Sequence, residues 1–406
     1  MKDHFKIGVL KETKTPPDRR VALPPTQVKE LMERYPNIQV VVQPSDYRCY
    51  RNDEYEALGI PLVEDVSDCD LLLGVKEVKI EALIPNKTYL FFSHVAKKQH
   101  HNQQLIKAIA NKGITLLDHE YLTDKNNVRL VAFGRWAGIV GAYNCLRAKG
   151  IRTDYFSLKP AHHCHDKNEL FEQLKPIRLR PIKLLITGGG RVANGALETF
   201  RALNIKEVSP EDFLTKTYDE AVLTRLDPWH YVKRKDGKEF EWKHFSDSPA
   251  EYESTFLPYT KVTNLFVACH FWDFRSPHFF TAEDMRSPDF KISVIADVSC
   301  DVGGPIPSTL RATTIAEPFF GYNPITEKEE VAFTSKKNIT IMSVDNLPGE
   351  LPRDASEDFG KALIEKVLPC YVTDDCDEVL QRATILENGK LTERYKYLTD
   401  YLAGNE

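Results

Sequence analysis

The chain has 406 residues, of which 42% are hydrophobic and 28% are charged, and its formal net charge is −5. This length allows two or three domains with their own cores, and the composition is that of an ordinary globular protein. The negative charge argues against nucleic acid or an anionic membrane as the main partner, and no apolar run reaches the ~20 residues that span a bilayer.

The eight cysteines are scattered along the chain without a Cys-x-x-Cys pair, so neither a zinc site nor a disulfide framework is expected. The N-terminal sequence has no signal-peptide pattern, and we therefore expect a cytoplasmic protein with reduced thiols. The run His162-His163-Cys164-His165 contains several potential ligands. Because consecutive residues cannot all face one ion, a polar loop between domains is favoured and no metal is predicted.

The first part of the chain alternates strand-like and helix-like segments, as in a parallel sheet covered by helices. A helix is expected to begin at Pro24-Pro25-Thr26 and to run to Tyr35, and further helices are expected at 53–58 and 99–112. The predicted strands are short apolar runs at 5–10, 38–42, 71–75, 89–93 and 114–116.

The second part begins with a predicted long helix, 133–149, whose small residues would allow close packing and which Gly150 would end. A strand at 184–186 then leads into a glycine loop and a helix over 191–203. A strand at 205–208 is expected to pair beside the first one. Residues 232–241 have the pattern of an exposed hairpin or insertion, and the later predicted elements are strands at 265–268, 294–296 and 339–344 and a helix over 355–368.

The glycine loop, Gly188 to Gly190, is the most informative motif, because it follows an apolar strand and precedes a helix. A strand, a tight turn and a helix N-terminus in this order present backbone N–H groups to a dinucleotide pyrophosphate. Gly188 would allow the turn, Gly190 would let the phosphates approach the backbone, and Arg191 could contact a phosphate. The motif therefore predicts a dinucleotide site.

Further sequence blocks fall in order along nearly the whole chain. They are KETK (11–14) with RVALP (20–24), GVKE (74–77), YLFFSHVAK (89–97), VRLVAFGRWAG (128–138), ADVSCDVGG (296–304), SVDNLPGELP (343–352) and LTERYKYL (391–398). Together with the glycine loop they resemble the saccharopine dehydrogenase (lysine-forming) and lysine–2-oxoglutarate reductase family, within the superfamily of alanine dehydrogenase and the transhydrogenase NAD domain.

The resemblance implies an α/β fold of two Rossmann-like domains with parallel sheets and an interdomain cleft. Residues 1–132 plus 346–406 would form the substrate and catalytic domain, and residues 133–345 would bind NAD or NADP. The implied reaction interconverts L-lysine plus 2-oxoglutarate and saccharopine by hydride transfer. The partners would be an amino acid and a 2-oxo acid, and assembly into a homo-oligomer is left open.

The resemblance also implies roles for single residues. Lys76 and His94 match the acid–base pair of the family, and burial after a strand would lower the pKa of Lys76. The residues matched to substrate binding are Arg20, Glu77, Lys97, Glu120, Arg129 and Asp345, whose cations would hold the carboxylates of saccharopine. The residues matched to cofactor binding are Gly188, Gly190, Arg191, Val192, Asp212, Cys269 and Asp301.

The sequence leaves three questions open: the ribose ligand, the choice of cofactor and the exact activity. An acidic residue about 20 positions after the glycines should bind the adenosine ribose, and both Glu207 and Asp212 are in range, with Asp212 favoured by the resemblance. The choice between NAD and NADP is not decided. The alternative activity is an alanine dehydrogenase-like reductive amination of a small 2-oxo acid with ammonia, against which the charges of Lys97, Glu120 and Arg129 argue. The intact acid–base pair argues against a non-catalytic nucleotide sensor.

Overall fold

The computed structural model describes residues 4–15, 18–373, 375 and 377–405. The chain divides into unit 1, Met1–Phe133 with Pro352–Glu406, and unit 2, Gly134–Leu351. Residues 346–351, expected in the first domain, belong to unit 2, because their turn packs on the long helix of that unit and Glu350 accepts a hydrogen bond of 2.8 Å from Asn144. None of the helices in the described part has both the length and the hydropathy of a membrane span.

The strands, numbered in chain order, belong to two large sheets and one ribbon. They are β1 (Phe5–Val9), β2 (Ile38–Val42), β3 (Leu71–Leu73), β4 (Thr88–Phe91), β5 (Thr115–Asp118), β6 (Lys183–Thr187), β7 (Lys206–Glu207), β8 (Val222–Leu226), β9 (Val232–Arg234), β10 (Tyr252–Ser254), β11 (Leu265–Ala268), β12 (Val294–Asp297), β13 (Phe319–Asn323), β14 (Lys328–Glu330), β15 (Ile339–Met342), β16 (Thr384–Glu387) and β17 (Lys390–Leu391).

The α-helices are numbered in the same way, and short 3₁₀ turns are left without numbers. They are α1 (Pro25–Arg34), α2 (Asn52–Glu56), α3 (Gln103–Asn111), α4 (Gly134–Thr153), α5 (Lys167–Glu172), α6 (Arg191–Ala202), α7 (Pro210–Thr215), α8 (Pro228–Tyr231), α9 (Trp242–Asp247), α10 (Leu257–Thr260), α11 (Ala282–Arg286), α12 (Pro352–Lys366), α13 (Val379–Ala383) and α14 (Thr399–Ala403).

The sheet of unit 1 has the order β17-β16-β5-β4-β3-β1-β2. Strands β1 to β5 are parallel, while β16 runs antiparallel to β5 and β17. Buried apolar side chains cover both faces, and the fully buried triplet of β3 shows why these strands read as unbroken apolar runs. The predicted parallel sheet is confirmed, and the antiparallel edge from the C-terminal segment adds to it.

The sheet of unit 2 has the order β14-β13-β15-β12-β11-β6-β8-β7, parallel from β15 to β7. The prediction that the 205–208 strand pairs beside the first strand of this unit is wrong. That strand, β7, consists of exposed Lys206 and Glu207 and lies at the edge, where it pairs with β8. The strand beside β6 is β8, because its side chains are largely buried.

The long helix α4 also differs from its prediction. It continues through Gly150 to Thr153. The glycine at 150 allows the chain after the helix to pass close by, since a Cβ atom there would come within 2.4 Å of the Phe156 carbonyl oxygen. Another glycine of α4 brings this helix against α6: a Cβ on Gly138 would lie 1.8 Å from the Val192 carbonyl oxygen. The same contact excludes a Cβ on Gly195 of α6. The position of α6, and of the glycine loop before it, therefore depends on backbone contact between two helices.

This contact predicts the effect of one methyl group. Gly138→Ala should lower the free energy of unfolding by about 3 kcal/mol, because the added Cβ overlaps backbone atoms that cannot move separately. The matched control is Gly134→Ala in the same helix, where the nearest atom is a Val192 methyl at 3.2 Å. Its effect should stay within about 1 kcal/mol. Equal effects of the two variants in urea unfolding would contradict this account of the helix pair.

Candidate functional site

The carboxyl ends of β1, β3, β4 and β5 lie at one edge of the parallel sheet of unit 1, which is where open α/β sheets place their functional groups. Glu12, Lys76, His94 and Glu120 each follow one of these strands within a few residues. Residues that follow separate strands in the sequence therefore lie at the same edge of the sheet. Each of these side chains is at most half-exposed.

Lys76 is held at this edge by a carboxylate that the sequence did not indicate. Glu12 accepts hydrogen bonds from the backbone N–H groups of Val75 and Lys76, at 2.7 and 2.8 Å. Burial raises the pKa of the Glu12 carboxyl to about 7 in spite of these two bonds. Burial, followed by the positive charge of Arg20, lowers the pKa of the Lys76 amine, in the direction expected for a proton-handling lysine.

Arg20 has a different environment from the one expected of a substrate ligand. It is buried, and the Asp18 carboxylate accepts two hydrogen bonds from its guanidinium, one from Nε at 3.0 Å and one from Nη2 at 2.7 Å. Its guanidinium carbon lies 4.2 Å from the centre of the Phe133 ring. Burial acts to raise the pKa of Asp18, but Arg20 outweighs it and holds that pKa below its ordinary range. Arg20 therefore places a buried positive charge that acts on Lys76, and its role in substrate binding stays a prediction.

His94 lies between two carboxylates. Its Nδ1 is 3.6 Å from Oε2 of Glu120, and its Nε2 is 3.9 Å from Oε1 of Glu77. The backbone of His94 is in the left-handed region, with φ of 55°. Lys14 pairs with the other oxygen of Glu77 at 3.2 Å. The imidazole, still partly exposed, is thus placed where it can exchange protons with a bound molecule while carboxylates face both of its nitrogens.

Glu120 connects the histidine to two cations. It is buried and pairs with Lys97 at 2.9 Å and with Arg129. Burial acts to raise the pKa of its carboxyl, but His94, Lys97 and Arg129 outweigh burial and lower the pKa to about 2. The side chains of Lys97 and Arg129 are 46% and 49% exposed, so two cationic groups at this edge remain accessible to an anionic ligand.

Unit 2 contains a cavity of about 630 Å³ at the carboxyl ends of β6, β8, β11 and β12, within the size range of ligand pockets. The predicted cofactor residues that line it are Gly188, Gly190, Arg191, Val192, Cys269 and Asp301. Gly188 has φ of +97°, and a Cβ there would lie 2.7 Å from the Cys269 carbonyl oxygen. Gly190 precedes α6 with open space around it. The loop thus leaves the helix N-terminus accessible, as a phosphate group requires.

Neither Asp212, the expected ribose ligand, nor Asp227 is among the residues that line this cavity. Asp212 lies in the first turn of α7, where its carboxylate pairs with Lys216 at 2.9 Å. The acidic group beside the glycines is Asp227, which follows β8: a Cβ on Gly189 would lie 2.4 Å from its Oδ1. Arg225 pairs with Asp227 at 3.0 Å. Since β7 and α7 intervene before β8, the spacing from the glycines leads to α7, whereas the carboxylate next to Gly189 follows β8. The ribose ligand stays a prediction.

The cavity has an aromatic side and a neutral histidine that the sequence did not indicate. The aromatic residues that line it are Tyr231, Trp242, Phe245, Phe271 and Trp272. His270 is buried, its Nδ1 lies 2.8 Å from Oγ1 of Thr187, and burial lowers its pKa to about 3, so the ring is uncharged at neutral pH.

Residues 232–241, expected as a hairpin or insertion, contain β9, which pairs with the later strand β10.

Three further features discussed from the sequence are Asp345, the His162–His165 run and the cysteines. Asp345 is exposed in the turn after β15 of unit 2. The His162–His165 run lies within unit 2 and not between domains; Cys164 is buried, and His162 Nδ1 is 3.5 Å from Glu350. The seven cysteines that the structure describes are free thiols, and Cys376 lies outside the described residues.

Comparison with known proteins supports the same assignment of fold. The family model for alanine dehydrogenase/PNT, N-terminal domain, matches residues 8–140, and the one for the C-terminal domain matches residues 274–398. Among solved structures, an L-alanine dehydrogenase superposes with a TM-score of 0.64 at 16% identity and covers 98% of this chain and 100% of that one. The α/β fold with two Rossmann-like domains is thereby confirmed.

Two curated relatives are similar in sequence. Alpha-aminoadipic semialdehyde synthase, mitochondrial, of Mus musculus is 30% identical over 434 residues, which cover 94% of this chain and 46% of that protein. The chain thus spans less than half of the mouse protein. Saccharopine dehydrogenase (NAD(+), L-lysine-forming) of Emericella nidulans is 27% identical over 383 residues, which cover 89% of this chain and 91% of that protein.

Proposed function

Because the chain belongs to the alanine dehydrogenase/PNT family, we propose that it is an NAD(P)-dependent dehydrogenase acting on a CH–NH group. The specific reaction we propose interconverts L-lysine plus 2-oxoglutarate and saccharopine. The name of the Emericella nidulans relative supports this choice, since its similarity extends over most of both chains. The observation that carries the proposal is the group of Glu120, His94, Lys97 and Arg129 at the sheet edge of unit 1.

The charges of that group fit a substrate with several carboxylates. Lys97 and Arg129 share one carboxylate, that of Glu120, and both remain half-exposed. Arginine can bind a carboxylate through two parallel hydrogen bonds, which fixes its orientation. A pyruvate-sized substrate has one carboxylate and would need fewer cations. The charge of the site therefore favours saccharopine over the products of a simple amination with ammonia.

The reaction needs groups that move protons at neutral pH. Condensation of the lysine amine with the 2-oxoglutarate ketone releases water, and reduction of the resulting C=N bond gives a secondary amine that takes up a proton. Lys76, whose pKa is lowered by burial and by Arg20, can give or take a proton at Nζ. His94 can do so at Nε2, with Glu77 and Glu120 facing the two ring nitrogens. We assign the acid–base steps to this pair.

The cavity of unit 2 fits a dinucleotide. Gly188, Gly190 and Arg191 line the cavity and would hold the pyrophosphate at the N-terminus of α6. Asp227 is not one of the lining residues, but its carboxylate lies next to Gly189, and we assign the adenosine ribose to it. A bound nicotinamide supplies or accepts the hydride, while the protein provides binding and orientation. Since the carboxylate of Asp227 would repel a 2′-phosphate, we infer a preference for NAD over NADP.

The test of the proposed function is oxidation of NADH and NADPH, followed at the nicotinamide absorbance, with two substrate pairs. We expect turnover with lysine plus 2-oxoglutarate and little or none with pyruvate plus ammonia. Turnover only with pyruvate plus ammonia would contradict the proposal and would favour the alanine dehydrogenase-like alternative. Binding of dinucleotide without turnover of either pair would contradict both.

The inferred cofactor preference has its own test. Asp227→Asn should lower the ratio of kcat/KM for NAD to that for NADP by roughly tenfold, the equivalent of about 1.4 kcal/mol for one charge-assisted hydrogen bond. The matched variant is Asp212→Asn, which should leave the ratio unchanged because Asp212 pairs with Lys216 away from the cavity. A change in the ratio with Asp212→Asn alone would restore the assignment made from sequence spacing.

A further inference from the structure

Asp118, the last residue of β5, is fully buried and has no role among the groups discussed above. Its carboxylate accepts four hydrogen bonds. Oδ2 accepts from the N–H of Ser93 at 3.0 Å, from the hydroxyl of Ser93 at 2.5 Å and from the N–H of His94 at 3.1 Å. Oδ1 accepts from the N–H of Glu120 at 2.8 Å. One carboxylate thus joins the residues after β4 to those after β5.

The bonds to Oδ2 hold a backbone that is otherwise disfavoured. His94 has φ of 55°, in the left-handed region where a Cβ atom crowds the backbone, so neighbouring groups must fix it. Unit 2 contains a related arrangement after β12, although there the aspartate and the serine lie at the end of the same strand instead of neighbouring strands. There Asp297 accepts from the N–H and hydroxyl of Ser299, at 3.1 and 2.6 Å, and from the N–H of Cys300, whose φ is 56°. In both units a buried aspartate stabilises a serine followed by a left-handed residue.

We propose that Asp118 is a positioning residue that fixes His94 and Glu120 relative to each other in the catalytic group. The expected effect of Asp118 on turnover rests on the proposed function, whereas its effect on the geometry of His94 and Glu120 does not. Asp118 has no exposed surface, so it acts through the two residues that it holds and does not touch the substrate. In unit 1 it is the only group, among the described residues, that binds the backbone N–H groups of both His94 and Glu120.

The two oxygens of Asp118 have different numbers of donors, and this makes an asparagine substitution informative. Three donors face Oδ2, whereas one N–H, that of Glu120, faces Oδ1. In Asp118→Asn the amide oxygen should therefore stay with Ser93 and His94. The amide NH₂ would then face the N–H of Glu120, and two donors cannot bond to each other. The variant should release Glu120 and leave the backbone of His94 in place.

Hydrogen exchange of single backbone amides tests the geometry without any assay of activity. In Asp118→Asn the Glu120 amide should exchange at least about tenfold faster, while the Ser93 and His94 amides keep their protection. The control is Asp65→Asn in the same unit. Asp65 is exposed, and its carboxylate accepts a hydrogen bond of 2.8 Å from the backbone N–H of Ser67. This control should leave all three amides unchanged. Unchanged exchange of the Glu120 amide in Asp118→Asn would overturn the proposal.

Kinetics tests the consequence for catalysis. Asp118→Asn should lower kcat about 100-fold, the size of effect that a misplacement of about 1 Å can have, while the Kd for NADH stays within about twofold. Asp65→Asn should leave both constants unchanged. A normal kcat together with a released Glu120 amide would overturn the positioning role. If no substrate pair is turned over by the unaltered protein, the proposed function fails, and the exchange experiment still decides the geometry.

A second variant keeps the test decisive if Asp118→Asn does not fold. Ser93→Ala removes the hydroxyl bond to Oδ2 and leaves the bond between Oδ1 and Glu120 in place. We expect faster exchange of the His94 amide, a protected Glu120 amide and a kcat lowered roughly tenfold, since one of three bonds at this corner is lost. Unchanged His94 exchange and unchanged kcat would overturn the proposal.

Discussion

The parallel alignment of the strands is the constraint on which both units depend. Because the carboxyl ends of parallel strands lie at one edge, residues from distant parts of the chain meet there. In unit 1 this edge brings Lys76, His94 and Glu120 together, and in unit 2 it brings the glycine loop together with Asp227. The sheets supply the rigid base, and the loops after the strands supply the chemistry.

Two buried carboxylates at the sheet edge of unit 1 form ion pairs. Asp18 balances Arg20, and Glu120 balances Lys97 and Arg129, which leaves positive charge near the edge for an anionic substrate. Burial, followed by the positive charge of Arg20, lowers the pKa of the Lys76 amine. His94, Lys97 and Arg129 outweigh burial and lower the pKa of the Glu120 carboxyl. A lysine with a lowered pKa and a carboxylate with a lowered pKa therefore lie at the same sheet edge.

Much of this organisation could be predicted from local sequence patterns. Apolar runs predicted the central strands, and the glycines between a strand and a helix predicted the position of the cavity in unit 2. The strand pairing that was predicted wrongly is non-local, because β8 lies between β7 and β6. For the same reason spacing along the sequence did not indicate that Asp227 lies next to Gly189. The buried ion pair between Arg20 and Asp18 likewise could not be predicted from residue spacing, because spacing does not indicate burial.

The central claim is that Lys76 and His94 exchange the protons of the reaction. The most direct measurement is the pH dependence of kcat for the unaltered protein, Lys76→Met and His94→Asn, with the exposed-residue controls Lys79→Met and His100→Asn. The account predicts that the first two variants lose turnover over the whole pH range, far more than they lose affinity for the dinucleotide, and that the controls do not. Near-normal kcat of both variants at every pH would contradict it.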